Sequence, residues 1–193
     1  MARLVRAATD RNPPTLGGGG CQRKEVILQT FLPFPNIYRS ASILDDKRLN
    51  KQIVEAFQIY TGRVPTLNHP ACLMWEKYKP FLRQYIHACC REYSLRFGKQ
   101  HSIDMELSRV PIIDAPRPWW FRNNLFHHTH RVNLLRKNRE FYKDFESFTI
   151  SYGDEPEGYY WPVAKEGGKA WKDSHNWAAW AKEHRFPYEE MEI

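Results

Sequence analysis

The sequence lacks the features of membrane-inserted, secreted and disulfide-bonded proteins. No stretch of about 18 consecutive apolar residues occurs, as a membrane-spanning helix would need. We also expect no secretory signal, because no charged start is followed by an apolar segment. The four cysteines have neither a C-x-x-C spacing nor that of a disulfide scaffold, which predicts reduced thiols in a cytoplasm.

Alternation of apolar and polar residues, which is typical of half-buried strands, is almost absent, whereas helical periodicity recurs. The chain has 193 residues, of which 42 % are hydrophobic and 15 % aromatic, so it is long enough to bury a core. These properties predict a mainly α, compact single-domain fold. We expect an extended N-terminal segment, "QTFLPFPN", and an irregular C-terminal region.

The N-terminal part of the chain differs from the rest. Residues 1–27 contain "RNPPTLGGGGCQRKE", which is rich in Pro and Gly and has no periodicity. Two interpretations remain open. The segment is a disordered basic extension, or the start is mis-assigned and the protein begins at position 28, after purine-rich codons for "RKEVIL". We expect one folded domain over residues 28–193, in which residues 162–193 form a Trp-rich tail with a helix at "SHNWAAWAKEH".

The first helix has recognisable ends and an apolar stripe. Ser40 or Asp45 is a plausible N-cap, and Gly62 follows the last turn. The apolar residues recur at spacings of four, four and three, as on one face of a helix. They are Leu49, Ile53, Phe57 and Tyr60.

Two further long helices are predicted. One begins at Pro70 with Asn68 as a nearby cap, is broken or kinked at Pro80, and resumes as far as Gly98. The other spans roughly residues 119–145.

Opposite the apolar stripe, the first helix carries a polar stripe at helical spacing. Its members are Arg48, Lys51, Gln52, Glu55 and Gln58. The simpler interpretation is an exposed network of i,i+4 pairs. The alternative is the wall of a cleft, in which burial and nearby cations act on the pKa of Glu55 in opposite directions and prepare it for acid–base chemistry.

The segment 115–139 carries six basic residues and no acidic one, which is typical of a surface that binds a polyanion. A solvated helix face is the alternative. The basic residues are Arg117, Arg122, Arg131, Arg136, Lys137 and Arg139.

The motif "HHTH" at 127–130 invites a metal site, but the necessary further ligands are absent at recognisable spacing. We therefore expect no metal. On a helix, His128 faces inward, whereas His127, His130 and Arg131 point more outward. These histidines are expected to lie in the core or to contact phosphates.

Aromatic residues accompany the basic ones. Trp119 and Trp120 lie between Arg117 and Arg122, and "GYYWP" adds Tyr160. Planar rings beside guanidinium groups suit stacking on bases and contact with phosphates. Taken singly, each tryptophan is better explained by the core, and only the combination favours nucleic acid.

The set of motifs resembles the pyrimidine-dimer DNA glycosylase family of the phage endonuclease V type, in its longer bacterial and phage branch. The strongest match is "LQTFLPFPNIYRSASILDDKRLNKQIVEAFQI"; "HPACLMWEKY", "FHHTHRVNLLRKNREFY" and "YYWP" look like later landmarks. The resemblance covers residues 28–162. It implies a compact helical fold, a flipped nucleotide and cleavage of a base–sugar bond, in a bacterial cytoplasm or a phage-infected host.

The resemblance also implies roles for the polar stripe. In the phage enzyme a helix carries an "H-L-x-x-x-x-x-E" pattern with a catalytic glutamate, and "RLNKQIVE" matches it with Arg48 in the histidine place and Glu55 as the glutamate. Arg48 and Lys51 would then grip phosphates. The phage enzyme attacks the sugar with the amine of an N-terminal threonine, and Thr30 is the nearest threonine here. Lys51 is the alternative amine, and a water directed by Glu55 or Asp46 is a third option.

The expected function is therefore DNA repair by a glycosylase that needs no cofactor, with a possible lyase step. Double-stranded DNA is the expected partner, and no protein partner is evident. Two alternatives stay open: a DNA-binding protein without activity, and an enzyme on the same scaffold that acts on another modified base or a nucleotide. The expected DNA-binding residues are Gln52, Arg117, Trp119, Trp120, Arg122, His127, His130, Arg131, Arg136, Lys137 and Tyr160.

Overall fold

The computed structural model describes residues 28–109, 114–149, 153–165 and 167–188. The segment predicted as an extension or a mis-assigned start, residues 1–27, lies outside these ranges. The described part of the chain is helical and contains no strand, which confirms the predicted fold class. The helices are α1 (Ile37–Ser42), α2 (Asp46–Thr61), α3 (Pro70–Leu73), α4 (Lys79–Phe97), α5 (Ser102–Leu107), α6 (Asn124–Lys137), α7 (Glu146–Thr149) and α8 (Lys172–Glu183).

Helix α2 begins and ends where its capping residues predict. The Asp45 side chain accepts a hydrogen bond from the Arg48 N–H at 2.9 Å, and Gly62 closes the helix in the left-handed region at φ 75°. The other candidate cap, Ser40, lies inside the separate helix α1, where its hydroxyl donates to Phe34 O at 3.0 Å. Asp45 is therefore the N-cap.

The second predicted helix is interrupted before Pro80 and not at it. Helix α3 is capped by His69 rather than Asn68: the His69 side chain accepts from the Ala71 N–H at 3.2 Å. A 3-10 turn at Glu76–Tyr78 follows, and α4 starts at Lys79. Pro80 lies in the first turn of α4, where no intrahelical N–H is needed, so it starts a helix instead of breaking one.

The predicted helix over 119–145 is wrong in its extent. Trp119–Arg122 form a 3-10 turn, and α6 starts only after Asn123, whose side chain accepts from the Phe126 N–H at 3.0 Å. Helix α6 ends at Lys137, and a further 3-10 turn, Lys143–Phe145, precedes α7. Two capping asparagines, Asn123 and Asn138, account for the shorter helix.

Helices α1 and α2 pack on α4, and one core connects them with buried side chains of α6 and α8. Trp75, Trp120 and Trp177 are its largest fully buried side chains. The tail helix is present as α8, and its Trp180 stacks on His128 of α6 with ring centroids 5.4 Å apart. No helix in the described ranges is long and apolar enough to span a bilayer.

Candidate active site

A cavity of about 170 Å³ opens beside the polar stripe of α2. Four of its lining residues come from α2, two from the segment before α1, one from the end of α6 and one from the loop before α8. The helices and the N-terminal segment therefore converge on it. Its lining residues are Gln29, Phe31, Lys47, Arg48, Lys51, Glu55, Lys137 and Tyr159.

Glu55 is the buried carboxylate of this cavity. Its side chain is 7 % exposed, and one carboxylate oxygen lies 3.3 Å from the Lys51 Nζ. The Gln29 N–H donates a further hydrogen bond to the carboxylate. Burial raises the pKa of Glu55 and outweighs the attraction of Lys51 and the Gln29 hydrogen bond, which act in the opposite direction. A carboxyl group of this kind can hold or release a proton at the reaction site.

Arg48 and Lys51 both line the cavity, but their surroundings differ. The Arg48 guanidinium forms an ion pair with Asp45, whose carboxylate also accepts from the Tyr142 hydroxyl at 2.8 Å. Lys51 is 61 % exposed and reaches Glu55 from the solvent side. Arg48 is thus fixed in one orientation, whereas most of the Lys51 side chain is hydrated.

Gln52 is buried and holds the N-terminal segment in place. Its Oε1 accepts from the Phe31 N–H and, at 3.0 Å, from the Tyr85 hydroxyl, and its Nε2 donates to Gln29 O. With 1 % exposure, Gln52 is not available to DNA in this structure. Gln52 thus provides hydrogen-bond partners for buried backbone groups of the N-terminal segment where that segment crosses α2.

Thr30 does not line the cavity. Its side chain is fully buried and its hydroxyl accepts from the Trp75 Nε1–H at 2.9 Å. The residue before it, Gln29, lines the cavity instead. The arrangement thus favours Gln29 over Thr30 as the part of this segment that reaches Glu55.

Lys137 belongs to this cavity rather than to a separate surface. Lys137 is exposed as a whole, but the protein around its ammonium removes part of the water there and lowers its pKa. The positive charges of Arg48 and Lys51 lower the pKa further, while Glu55 acts in the opposite direction. From the sequence, Lys137 is expected only as a DNA contact. The structure brings it together with Glu55, Lys51 and Arg48.

The expectation that His127 and His130 point outward is wrong. Both are buried, and the His127 Nδ1 lies 2.6 Å from Leu32 O. Burial lowers the pKa of both rings, which favours neutral imidazoles. They contribute to the aromatic core, where His130 packs on Phe126 with centroids 4.5 Å apart. No group of three or more potential metal ligands occurs among the described residues.

Only some of the basic and aromatic residues that were predicted to bind DNA are exposed to solvent. Arg117, Arg122 and Trp119 are exposed, the last by 53 %. Trp120 and Tyr160 are exposed by 1 % and 2 % and belong to the core. These two are therefore not available for stacking on bases.

Two further predicted contacts are engaged within the protein. The Arg131 guanidinium donates to Pro33 O at 2.6 Å, and burial lowers the pKa of Arg131 to about 10. The Arg136 guanidinium donates to Pro156 O at 2.8 Å and to Glu155 O at 2.5 Å. Both arginines tie α6 to distant backbone, which limits their reach toward a ligand.

Sequence reasoning missed four residues of the cavity: Gln29, Phe31, Lys47 and Tyr159. The helical pattern could have predicted Lys47, because it lies one turn before Lys51 on the same helix. The others lie outside regular helices, where no periodicity indicates which way a side chain points.

The family model of pyrimidine dimer DNA glycosylases matches residues 28–105. This confirms the resemblance over that segment, which is less than half of the chain and includes α2 with Glu55. No curated protein and no solved structure was found to match the chain.

Proposed function

We propose that the protein is a DNA N-glycosylase that cleaves the base–sugar bond of a pyrimidine dimer. The observation that carries this proposal is the buried Glu55 carboxyl group in a small cavity surrounded by cationic side chains. The cations are Lys47, Arg48, Lys51 and Lys137. The match of residues 28–105 to the pyrimidine dimer glycosylase family supports the choice of substrate.

The charges of the cavity suit a sugar–phosphate substrate. Departure of a base leaves positive charge on the deoxyribose, and a carboxylate beside C1′ stabilises that charge. The surrounding cations suit the phosphates on either side of the damaged nucleotide. A protonated Glu55 can instead donate its proton to the sugar ring oxygen O4′, and its raised pKa favours this form.

Access to the cavity requires that a nucleotide leaves the base stack. Extrusion costs a few kcal/mol and is least costly at a distorted lesion, so it supplies part of the selectivity. The exposed Arg117, Trp119 and Arg122 would hold the duplex through phosphate contacts and stacking. DNA affinity is therefore expected to fall steeply as salt increases.

Cleavage of the DNA strand would be a second activity and requires an amine that forms an imine with C1′. Three sources are open: an N-terminal amine, Lys51 and another lysine of the cavity. The Gln29 backbone N–H donates a hydrogen bond to the Glu55 carboxylate, and this nitrogen would be an amine only in a chain that begins at that residue. Without an amine, water would complete the reaction and leave an abasic site.

The test uses two duplexes of identical sequence, one of which carries a single thymine dimer. After incubation with the full chain, alkali converts any abasic site to a strand break. We expect alkali-revealed breaks at the dimer and none in the undamaged duplex. Salt-sensitive binding without breaks would contradict the proposal and favour a DNA-binding protein without activity, and turnover of another modified base would replace the substrate.

A further inference from the structure

We propose that Lys137 is the amine that forms an imine with the deoxyribose C1′, which makes the enzyme a lyase as well as a glycosylase. This inference rests on the proposed function and assigns to α6 a catalytic residue outside the segment 28–105. It concerns a side chain that comes from a different helix than Glu55, Arg48 and Lys51.

The position of Lys137 meets the first requirement for such a role. It is the last residue of α6 and lines the same cavity as Glu55. A nucleophile on one element and a carboxyl group on another can address the same sugar from different directions. The influences on the charge of Lys137 come from lost hydration and from the charges of Arg48, Lys51 and Glu55, and they include no hydrogen bond.

The charges around Lys137 act in the direction of the second requirement, which is a neutral amine. Arg48 and Lys51 repel its positive charge, and the surrounding protein removes part of its water. Both effects lower the pKa of Lys137 and outweigh the attraction of Glu55. The end of a helix usually favours a cation, so the lowering occurs against that effect.

Two other lysines near the site, Lys51 and Lys79, fit the role less well. The Lys51 ammonium is 3.3 Å from the Glu55 carboxylate and would have to leave it before attacking a sugar. Lys79 also has a lowered pKa, but it does not line this cavity, and its ammonium donates to Ile59 O.

The proposed reaction balances with the groups of the cavity and water. The Lys137 nitrogen forms a bond to C1′ as the bond from C1′ to the base nitrogen breaks. The released base nitrogen takes a proton from water. The amine gives up a proton to solvent. Glu55 then protonates O4′ as the C1′–O4′ bond opens, which leaves an iminium ion. The resulting carboxylate takes a proton from C2′, and the C3′–O3′ bond breaks with departure of the 5′-phosphorylated strand. Water finally hydrolyses the imine and restores the amine.

The experiment traps the iminium by reduction with borohydride. The full chain is incubated with the thymine-dimer duplex, and separately with the same duplex bearing one abasic site, so that the lyase step is measured without base release. Lys137→Arg keeps the positive charge and removes the reactive amine. Lys51→Arg tests the competing lysine, and Lys143→Arg is a matched control in an exposed 3-10 turn. Circular dichroism and thermal midpoints verify that each variant is folded.

We expect a trapped adduct with the wild type and with Lys143→Arg, and its loss with Lys137→Arg on both duplexes. Lys51→Arg keeps the Lys137 amine, so an adduct should still form there, although its rate can change because Lys51 contacts Glu55. Proteolysis and mass spectrometry of the wild-type adduct should locate the sugar on Lys137. An adduct that persists in Lys137→Arg, or that maps to another amine, would overturn this inference. Alkali-revealed breaks without any wild-type adduct would overturn the inference and leave the glycosylase proposal standing, whereas absence of those breaks would overturn both.

Discussion

The Glu55 carboxylate and the Lys51 ammonium lie 3.3 Å apart, but they differ strongly in exposure to solvent. The glutamate side chain is 7 % exposed and the lysine side chain 61 %. An exposed cation stabilises a buried carboxylate only weakly, because water screens its charge. Burial therefore decides the direction in which the pKa of Glu55 moves, and it is raised. The pair is better suited to proton transfer than to stabilising the fold.

Gln52→Leu should loosen the N-terminal segment over α2. The substitution leaves the buried Phe31 N–H and Gln29 C=O without the amide partner that they now have. Each such group costs roughly 1–3 kcal/mol of unfolding free energy. Cleavage should fall as well, because Gln29 and Phe31 line the cavity with Glu55. Urea denaturation and cleavage assays measure the two effects.

The control for this prediction is Gln58→Leu, the same substitution at a half-buried position of the same helix. It should change stability and cleavage much less. If Gln52→Leu behaves like Gln58→Leu in both assays, the amide does not position the segment.

The stability of the protein should fall as the pH drops below neutrality, because of His128. This ring is fully buried between Trp180 and Phe186, and burial lowers its pKa from 6.5 to about 3. Below pH 6.5 the unfolded chain binds a proton at His128 while the folded chain does not. The free energy of unfolding should thus decrease with falling pH, by at most about 1.4 kcal/mol per pH unit from this group.

His128→Phe keeps an aromatic ring and removes the titrating group, so the loss of stability between pH 7 and pH 5 should be shallower than in the wild type. His175→Phe, an exposed position on α8, is the control. Urea denaturation at several pH values measures the slope. An unchanged slope in His128→Phe would mean that the ring is protonated within the folded protein.

Arg122→Ala should weaken binding to duplex DNA through loss of one phosphate contact. The side chain is exposed and lies beside Trp119 in the 3-10 turn before α6. Loss of one contact should reduce the slope of log affinity against log salt by about 0.9. Arg139→Ala removes an equally charged side chain that is paired with Glu146, and it should leave the slope near that of the wild type. Fluorescence anisotropy at a series of salt concentrations compares them, and equal effects of the two variants would argue against a local interface at Arg122.

The sequence predicted the α2 part of the site because that part depends on local rules. A period of 3.6 residues aligns Arg48, Lys51 and Glu55, Asp45 was one of two candidate N-caps, and Gly62 marks the end of the helix. None of these inferences needs knowledge of another element.

The failures concern residues whose surroundings come from far along the chain. Gln52 looks like the other polar residues of its stripe, but the segment at 29–31 covers it and uses its amide. The helical position of His127 and His130 predicted that they point outward, but α6 is buried on several sides by aromatic rings, which leaves the core as the correct one of their two expected environments. Lys137 joined the site only because the end of α6 lies beside α2. Periodicity within one helix carries no signal for such contacts.

The most direct test of the account is the cleavage activity of Glu55→Gln on a duplex with one thymine dimer. The amide keeps the shape of the side chain but can neither hold nor release the proton. We predict that alkali-revealed breaks at the dimer fall by roughly 10²–10⁴-fold while DNA binding is retained. Glu76→Gln, at an exposed position in the 3-10 turn before α4, should cleave like the wild type. Wild-type cleavage by folded Glu55→Gln would contradict the central claim that this buried carboxyl group carries the chemistry.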